Sequence, residues 1–129
     1  MEWVSKAVAL ANHDEQLAKH GGLAGSRDIA LLESALERPQ NLAAYGRPDI
    51  AARAAAYAFG ITRIHAFVDG NKRTSYIVTS AFLALNGYDI AANDIARLDV
   101  WQKLAGGKMT EDELAHWLRG NSRLGVAAQ

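Results

Sequence analysis

The sequence HAFVDGNKRTSY, residues 65–76, is the stretch around which this chain is organised. Its first nine residues include a histidine, an aspartate, a glycine, an asparagine, a lysine and an arginine. Apolar patterns typical of helices flank it at residues 49–64 and 71–86. A charge-dense segment between two buried helices is costly unless its polar groups find partners. The stretch is therefore the first candidate for a functional site.

The order of residues in this stretch indicates how its polar groups are placed. His65 follows directly on the first predicted helix, and Asp69 precedes the second. Asp69-Gly70 is a turn signal, and either Asp69 or Asn71 is a candidate N-cap. The first N–H groups of a helix have no internal partner and point outward. The sequence therefore predicts an anion site at the start of the second helix.

The charged residues of the stretch favour phosphate chemistry. Lys72 and Arg73 lie in the first turn of the second helix, where cations are unfavourable unless a negative ligand offsets them. A phosphate is such a ligand. Asp69 offers an oxygen ligand for Mg²⁺, which binds carboxylates together with substrate phosphates. His65 can take a proton near neutral pH. Together these residue types predict phosphoryl or nucleotidyl transfer.

Each of these residues also has a purely structural interpretation. His65 is favourable as a cation at a helix C-terminus, Asp69 is a possible cap, and Phe67 is an apolar anchor for the loop. The structural alternative for Lys72 and Arg73 is a pair of solvated charges, but they lie at the wrong helix end for charge compensation. Taken jointly, the positions favour a catalytic loop over the structural interpretations.

The run from residue 65 to residue 74 resembles the signature loop of the Fic/Doc family. The Fic branch follows the pattern HPFx(D/E)GNGRxxR. Here Ala66 replaces the proline, Lys72 replaces the second glycine and Tyr76 replaces the last arginine. The Asn-Lys-Arg form is similar to the Doc branch. Residues 21–40 also resemble the Doc-type stretch GGLPGxRDxxLLESALxRPQ, so the resemblance covers roughly half of the chain.

The resemblance implies a role for each motif residue. His65 is the general base that takes a proton from a target hydroxyl, and Asp69 holds Mg²⁺. The helix N-terminus and its side chains clamp the phosphates of ATP. The catalytic candidates are His65, Asp69, Lys72 and Arg73. The candidate nucleotide-binding residues are Phe67, Gly70, Asn71, Lys72, Arg73 and Thr74.

Three activities stand as alternatives. The Doc resemblance implies a toxin that transfers the γ-phosphate of ATP to a threonine of elongation factor Tu and arrests translation, and that a Phd-like antitoxin neutralises through its C-terminal segment. The Fic resemblance implies adenylylation of a protein hydroxyl instead. Lys72 and Tyr76 depart from the Fic pattern, which favours the kinase. The third alternative is a helical binding module that has kept the loop and lost catalysis.

Length and composition bound the remaining possibilities. The 129 residues, half of them hydrophobic, suffice for a single domain over 1–129. A net charge of zero argues against direct binding of nucleic acid. The sequence begins without a secretion signal, and no run approaches the roughly 20 apolar residues of a membrane span. We therefore expect a cytoplasmic protein.

The apolar periodicity predicts an all-α bundle of about six helices with a small extended flap. The helix patterns begin near residues 3, 29, 49, 71, 93 and 110, the flap spans 41–45, and residues 121–129 are predicted to be frayed. Three apolar stripes are expected to face the core: Val4, Val8, Ala11 and Leu17 in the first helix, Ile77, Val78, Ala81, Phe82 and Leu85 in the fourth, and Ile95, Leu98, Trp101 and Leu104 in the fifth. His13 is expected on a solvated face, and the three tryptophans are expected in the core.

Local signals predict several helix starts and one close contact. Asp49 is a candidate N-cap, Asn93 or Asp94 is another, and Thr110 with Glu113 matches a capping box. The alanine-rich helix that follows Asp49 is predicted to be the central, buried one, with Gly60 at a close contact.

Overall fold

The structure is a computed structural model that describes residues 1–22, 29–42, 48–64 and 70–124, with the backbone only for Ile64. This part of the chain forms six helices and two short strands, which confirms the predicted all-α class. The elements are α1 (Lys6–His20), α2 (Ile29–Glu37), α3 (Ile50–Ile64), α4 (Asn71–Leu85), β1 (Tyr88–Ile90), α5 (Asp94–Ala105), α6 (Glu111–Asn121) and β2 (Ser122–Leu124). None of the described helices is long and apolar enough to cross a membrane.

Helix α3 is the central element, as its alanine-rich sequence predicts. It packs against α2, α4 and α6. Ala54, Ala55 and Ala58 have no exposed surface, and their small side chains allow the neighbouring helices to approach closely. A Cβ atom placed on Gly60 would lie 3.4 Å from the Cβ atom of Ala35 in α2. Gly60 therefore marks a close helix contact, which confirms its predicted role.

Local capping residues stabilise the N-termini of three helices, α3, α5 and α6. Asp49 Oδ1 accepts a hydrogen bond of 2.8 Å from the N–H of Ala52 at the start of α3. Asn93 caps α5 in the same way, and Thr110 forms the predicted capping box of α6 with Glu113. These N-caps are confirmed, because short polar side chains satisfy N–H groups that a helix leaves unpaired.

Aromatic rings fill the core around α3 and α4. The ring of Phe82 stacks on Trp3 at 5.8 Å and tilts against Tyr57 at 4.9 Å between centroids. Trp101 packs edge-on against Trp117 at 6.4 Å. Burial raises the pKa of the Tyr57 phenol above its ordinary value. The three tryptophans are therefore core residues, as predicted, with Trp3 and Trp117 partly buried at its edge.

The predicted buried face of the first helix is wrong except at Val4, which is buried, and at Leu17, which is partly buried. Helix α1 begins only after Ser5, whose hydroxyl accepts a hydrogen bond from Val8, and the helix turns Ala9, His13 and Gln16 inward. Val8 is 45% exposed, and Ala11 is exposed as well. The reason is tertiary: α1 packs against α4, so the side that faces α4 is buried whatever its polarity.

Helices α4 and α5 follow the predicted apolar stripes only in part, because Val78, Phe82, Trp101 and Leu104 are buried but other members are not. Leu85 is 52% exposed, Ile95 is 81% exposed and Leu98 is 54% exposed. In α4 the buried residues include three that carry hydroxyl groups, Thr74, Ser75 and Thr79. In α5 the buried residues all lie in the second half of the helix, which leaves the apolar residues of its first half in solvent.

The first part of the predicted frayed tail is ordered. Helix α6 runs through Gly120 to Asn121, and β2 then pairs antiparallel with β1, with Ile90 opposite Ser122 and Tyr88 opposite Leu124. The pairing partner lies more than thirty residues away, so no local pattern in the tail announces it. Residues 125–129 and the last three residues of the predicted flap, 43–45, lie outside the described residues.

Candidate active site

The structure describes the two helix ends between which the motif lies. Helix α3 ends at Ile64 and α4 begins at Asn71, so the predicted placement of the motif between two helices is confirmed. His65, Phe67 and Asp69 themselves lie outside the described residues. The geometry of the site is therefore described from Gly70 onward and from the elements that surround the start of α4.

Gly70, and not Asn71, is the N-cap of α4. Its backbone is left-handed, with φ 79° and ψ 14°, and it offers no side chain to cap the helix. Asn71 is already the first helical residue, so its predicted role as a cap is wrong, and the alternative cap Asp69 lies outside the described residues. Glycine reaches this conformation without the strain that a Cβ atom adds.

The first turn of α4 carries positive charge that no described acidic side chain compensates. It contains Lys72 and Arg73 and no acidic residue. Within the described ranges, neither cation forms an ion pair with an acidic side chain. Helix α6 shows the opposite arrangement, with three acidic residues, Glu111–Glu113, in its first turn. Acidic residues are what a helix N-terminus favours, so the start of α4 is electrostatically suited to an external anion.

Thr74 occupies a different environment from its two charged neighbours. Its side chain is fully buried, whereas Lys72 is partly buried and Arg73 is exposed. The Thr74 hydroxyl has no hydrogen-bond partner in the described part of the chain. The structure thus places Lys72 and Arg73 where a ligand can reach them and turns Thr74 towards the core. Its predicted contact with the nucleotide stays a prediction.

His13 is the residue near the site that sequence analysis misplaced. Its side chain is only 2% exposed, which contradicts the predicted solvated face. A Cβ atom placed on Gly70 would lie 3.4 Å from Cδ2 of His13, 3.5 Å from its Nε2 and 3.6 Å from Cδ2 of Leu17. Helix α1 therefore covers the start of α4. Ala9, His13 and Gln16 have the spacing of one helix face. Because two of the three are polar, the hydropathy pattern did not indicate that this face is buried.

An open cavity of about 340 Å³ adjoins the first turn of α4. Its described lining comes from three helices: Gln16 and His20 of α1, Lys72, Arg73, Tyr76 and Ile77 of α4, and Asp94, Arg97, Leu98 and Trp101 of α5. Three cations thus share the cavity with an apolar wall that includes an indole ring. Such a lining suits a ligand that has an anionic end and an apolar or aromatic body.

Arg97 is a site residue that no signal in the sequence indicated. Its Nη1 donates a hydrogen bond of 2.9 Å to the hydroxyl of Tyr76, and its Nη2 donates one of 2.8 Å to the carbonyl of Ile90. Tyr76 stands where the Fic pattern has its last arginine. The guanidinium that reaches this position comes from α5, more than twenty residues further along the chain.

A buried hydroxyl holds the cavity wall in place. Ser75 Oγ donates a hydrogen bond of 2.9 Å to the carbonyl of Ala58 and accepts one of 3.1 Å from Nε1 of Trp101. The ring of Trp101 also meets that of Tyr76 edge-on at 5.1 Å. Helices α3, α4 and α5 are thus joined through one side chain directly behind the cavity.

The fold and this site define a small helical protein in which a basic helix N-terminus, preceded in the sequence by the residues from His65 to Asp69, faces a cavity. The chain belongs to the Fic/DOC family, whose family model matches residues 3–83. It is 38% identical over 105 residues to "Toxin Doc" of Mycolicibacterium smegmatis, which covers 78% of this chain and 80% of that relative. It is 31% identical over 121 residues to "Protein kinase doc" of Escherichia phage P1, which covers 92% and 94%. The resemblance to the Doc branch is thereby confirmed.

Proposed function

We propose that this protein is a toxin that transfers the γ-phosphate of ATP to a hydroxyl group of a target protein, namely a threonine of elongation factor Tu, and so arrests translation. Membership of the Fic/DOC family and the names of the two Doc relatives support a transferase of this kind. The observation that carries the proposal is the first turn of α4, where Lys72 and Arg73 stand without a described acidic partner. The proposed target places the protein in the cytoplasm.

The charge arrangement at α4 suits the terminal phosphates of a nucleotide. Hydrogen bonds from cationic or backbone donors to a phosphate contribute about 1.5–3 kcal/mol each. Lys72 and Arg73 offer two cationic donors, and the helix N-terminus adds its partial positive charge. Charge that develops on the transferred phosphoryl group is stabilised by the same groups, because they are already fixed by the helix.

The motif residues outside the described ranges complete the proposed site. His65 takes the proton of the attacking hydroxyl, and Asp69 holds Mg²⁺. The first turn of α4 contains no acidic residue, and the described ranges hold no cluster of three His, Asp or Glu side chains that fits a metal. Asp69 would thus act with substrate phosphates and water, a ligand set that Mg²⁺ favours. When bound, Mg²⁺ supplies positive charge to the phosphates.

A labelling comparison tests this proposal. Purified protein is incubated with Mg²⁺, cell extract and ATP that carries label on either the γ- or the α-phosphate. We expect γ-label on a band of the size of elongation factor Tu, lost in His65→Ala. His116→Ala is the matched control, because His116 is exposed on α6 and outside the site. α-Label on the target instead would establish adenylylation, and label in neither experiment would leave a non-catalytic binding module.

The antitoxin surface proposed for this chain lies on the exposed side of α5. Ile95 and Leu98 are exposed there and, three residues apart, share one helix face. Leu98 continues into the wall of the cavity that contains Lys72 and Arg73. An apolar strip beside cations fits an amphipathic segment with acidic residues. We assign this surface to the C-terminal segment of a Phd-like antitoxin, which would cover the site.

A further inference from the structure

A second cavity, of about 280 Å³, lies beside the two-stranded β1–β2 ribbon. We call it the ribbon cavity. Its described lining consists of Tyr76, Ser80, Asp89, Ile90, Arg97 and Arg123. It shares Tyr76 and Arg97 with the cavity at α4, but neither Lys72 nor Arg73 reaches it. Most of these side chains are polar, and two of them are guanidinium groups.

The charge of Arg97 lacks a firm counter-ion. Its side chain is only 31% exposed, and its two short hydrogen bonds go to neutral acceptors, a phenol and a carbonyl. The one described carboxylate within 4 Å of it is that of Asp94, at 3.9 Å, and Asp94 is fully exposed. Water screens such a pair, so it contributes little. A largely buried cation whose close hydrogen-bond partners are neutral favours an additional anion.

Two donor atoms of the cavity lining are buried without a partner. Nε of Arg97 and Oγ of Ser80 are both inaccessible to water and make no hydrogen bond within the described part of the chain. Buried donors are usually paired, because leaving one unpaired costs as much as a lost hydrogen bond. Both donors belong to side chains that line the ribbon cavity, one on α4 and one on α5, so a rotation of these side chains would present them to an acceptor in it.

Arg123 on β2 adds a second cation to the ribbon cavity, opposite the carboxylate of Asp89. Its Cα partner across the ribbon is Asp89, so the two side chains lie on the same face. Even so, no ion pair within 4 Å joins these two described residues. Arg123 is thus available to a ligand, and Asp89 would oppose an anion that binds beside it.

We propose that the ribbon cavity binds a phosphate-sized oxyanion, either free or as a phosphate monoester, held by Arg97, Arg123 and the Ser80 hydroxyl. The volume exceeds by several-fold the roughly 30 Å³ that one water occupies, which leaves room for an ester substituent. Arginine pairs favour oxyanions because the planar guanidinium donates two parallel hydrogen bonds. This inference is independent of the phosphoryl transfer proposed above.

The test is a calorimetric titration of the full chain with inorganic phosphate, at constant pH and ionic strength. The reference protein is the double variant Lys72→Gln/Arg73→Gln, so that the start of α4 does not contribute. Because this variant already lacks the site proposed for transfer, failure of that proposal does not affect the result. Circular dichroism verifies that each variant is folded.

We expect saturable binding of one equivalent in the reference protein. Ser80→Ala and Arg123→Gln, each added to it, should weaken binding about tenfold, the effect of one charge-assisted hydrogen bond. Asp89→Asn should tighten binding several-fold, since it removes the opposing charge. Absence of saturable binding in the reference protein overturns the proposal, and so does binding that Ser80→Ala and Arg123→Gln leave unchanged. A parallel titration with phosphoserine distinguishes a free anion from a monoester by their relative affinities.

Discussion

Replacement of Ser75 by alanine tests whether one hydroxyl joins three helices. The substitution removes the donor to the Ala58 carbonyl and leaves Nε1 of Trp101 without an acceptor, while Trp101 is only 2% exposed. A buried donor without a partner costs about 1–3 kcal/mol. The Ala58 carbonyl lies within α3 and keeps its helical hydrogen bond. The loss of the hydrogen bond that it accepts from Ser75 therefore adds less to the cost. We expect the free energy of unfolding to fall by about 2 kcal/mol in total.

This magnitude is large enough to measure by two methods. For a domain of this length, an entropy of unfolding of about 2.1 cal/mol/K per residue converts 2 kcal/mol into a fall in Tm of about 7 °C. Urea unfolding followed by helical circular dichroism gives the free energy directly. Ser34→Ala is the matched control, because Ser34 is exposed on α2 and its hydroxyl makes no described contact. It should change stability by less than about 0.5 kcal/mol.

A double-mutant cycle separates the hydrogen bond from general packing. Trp101→Phe removes the indole N–H, so Ser75→Ala then leaves no orphaned donor. We expect Ser75→Ala to cost at least about 1 kcal/mol less on the Trp101→Phe background than in the wild type. If the two substitutions are additive within about 0.5 kcal/mol, the network does not exist as described.

The remaining predictions concern the site, the charge at α3 and the antitoxin surface. Gly70→Ala forces a Cβ atom into the left-handed region against His13 and should cost about 1–2 kcal/mol of stability. It should also lower kcat for phosphoryl transfer by about tenfold or more, since small displacements of a site are costly; an unchanged kcat would contradict the described packing. The hydrogen bond from Arg119, followed by that from Ala52, holds the pKa of Asp49 below its ordinary value. The stability from this shift is fully present above the unfolded pKa and is lost as pH falls through the folded pKa. Asp49→Asn keeps the cap but not the charge, so it should lower the free energy of unfolding at pH 7 by a few tenths of a kcal/mol, given the exposure of the pair. Urea titrations at pH 7 and below pH 3 should show this difference disappear in acid, and a constant difference would exclude the charge as its cause. Ile95→Lys should leave stability and toxicity unchanged, because the side chain is 81% exposed. In growth assays with a co-expressed Phd-like antitoxin, the Ile95→Lys variant should remain toxic. Full neutralisation of the variant would show that the antitoxin binds another surface.

The sequence predicted best where a feature is local. Asp49, Asn93 and Thr110 were assigned as caps because each hydroxyl, amide or carboxylate acts within three residues of its own position. The central position of α3 also followed from composition, since a run of alanines packs closely on every side. Such features need no knowledge of the rest of the fold.

Burial was predicted least well for residues whose environment comes from elsewhere in the chain. Ile95 and Leu98 have the apolar spacing of a core face, but the other described elements leave both side chains exposed. His13 is polar and yet buried, because Gly70 leaves space for its ring. Ser75 is also buried, because its hydroxyl forms hydrogen bonds with Ala58 and Trp101. A hydropathy pattern cannot register a neighbour that is distant in sequence.

For this protein, the sequence by itself determined the family, the six helices and the motif with its basic helix N-terminus, since each resides in a contiguous run of residues. Only the tertiary structure placed His13 over Gly70, brought Arg97 to Tyr76, and paired the chain end with β1. The physical reason is that helix periodicity specifies which residues share a face, whereas the partner of that face depends on how all the elements pack together.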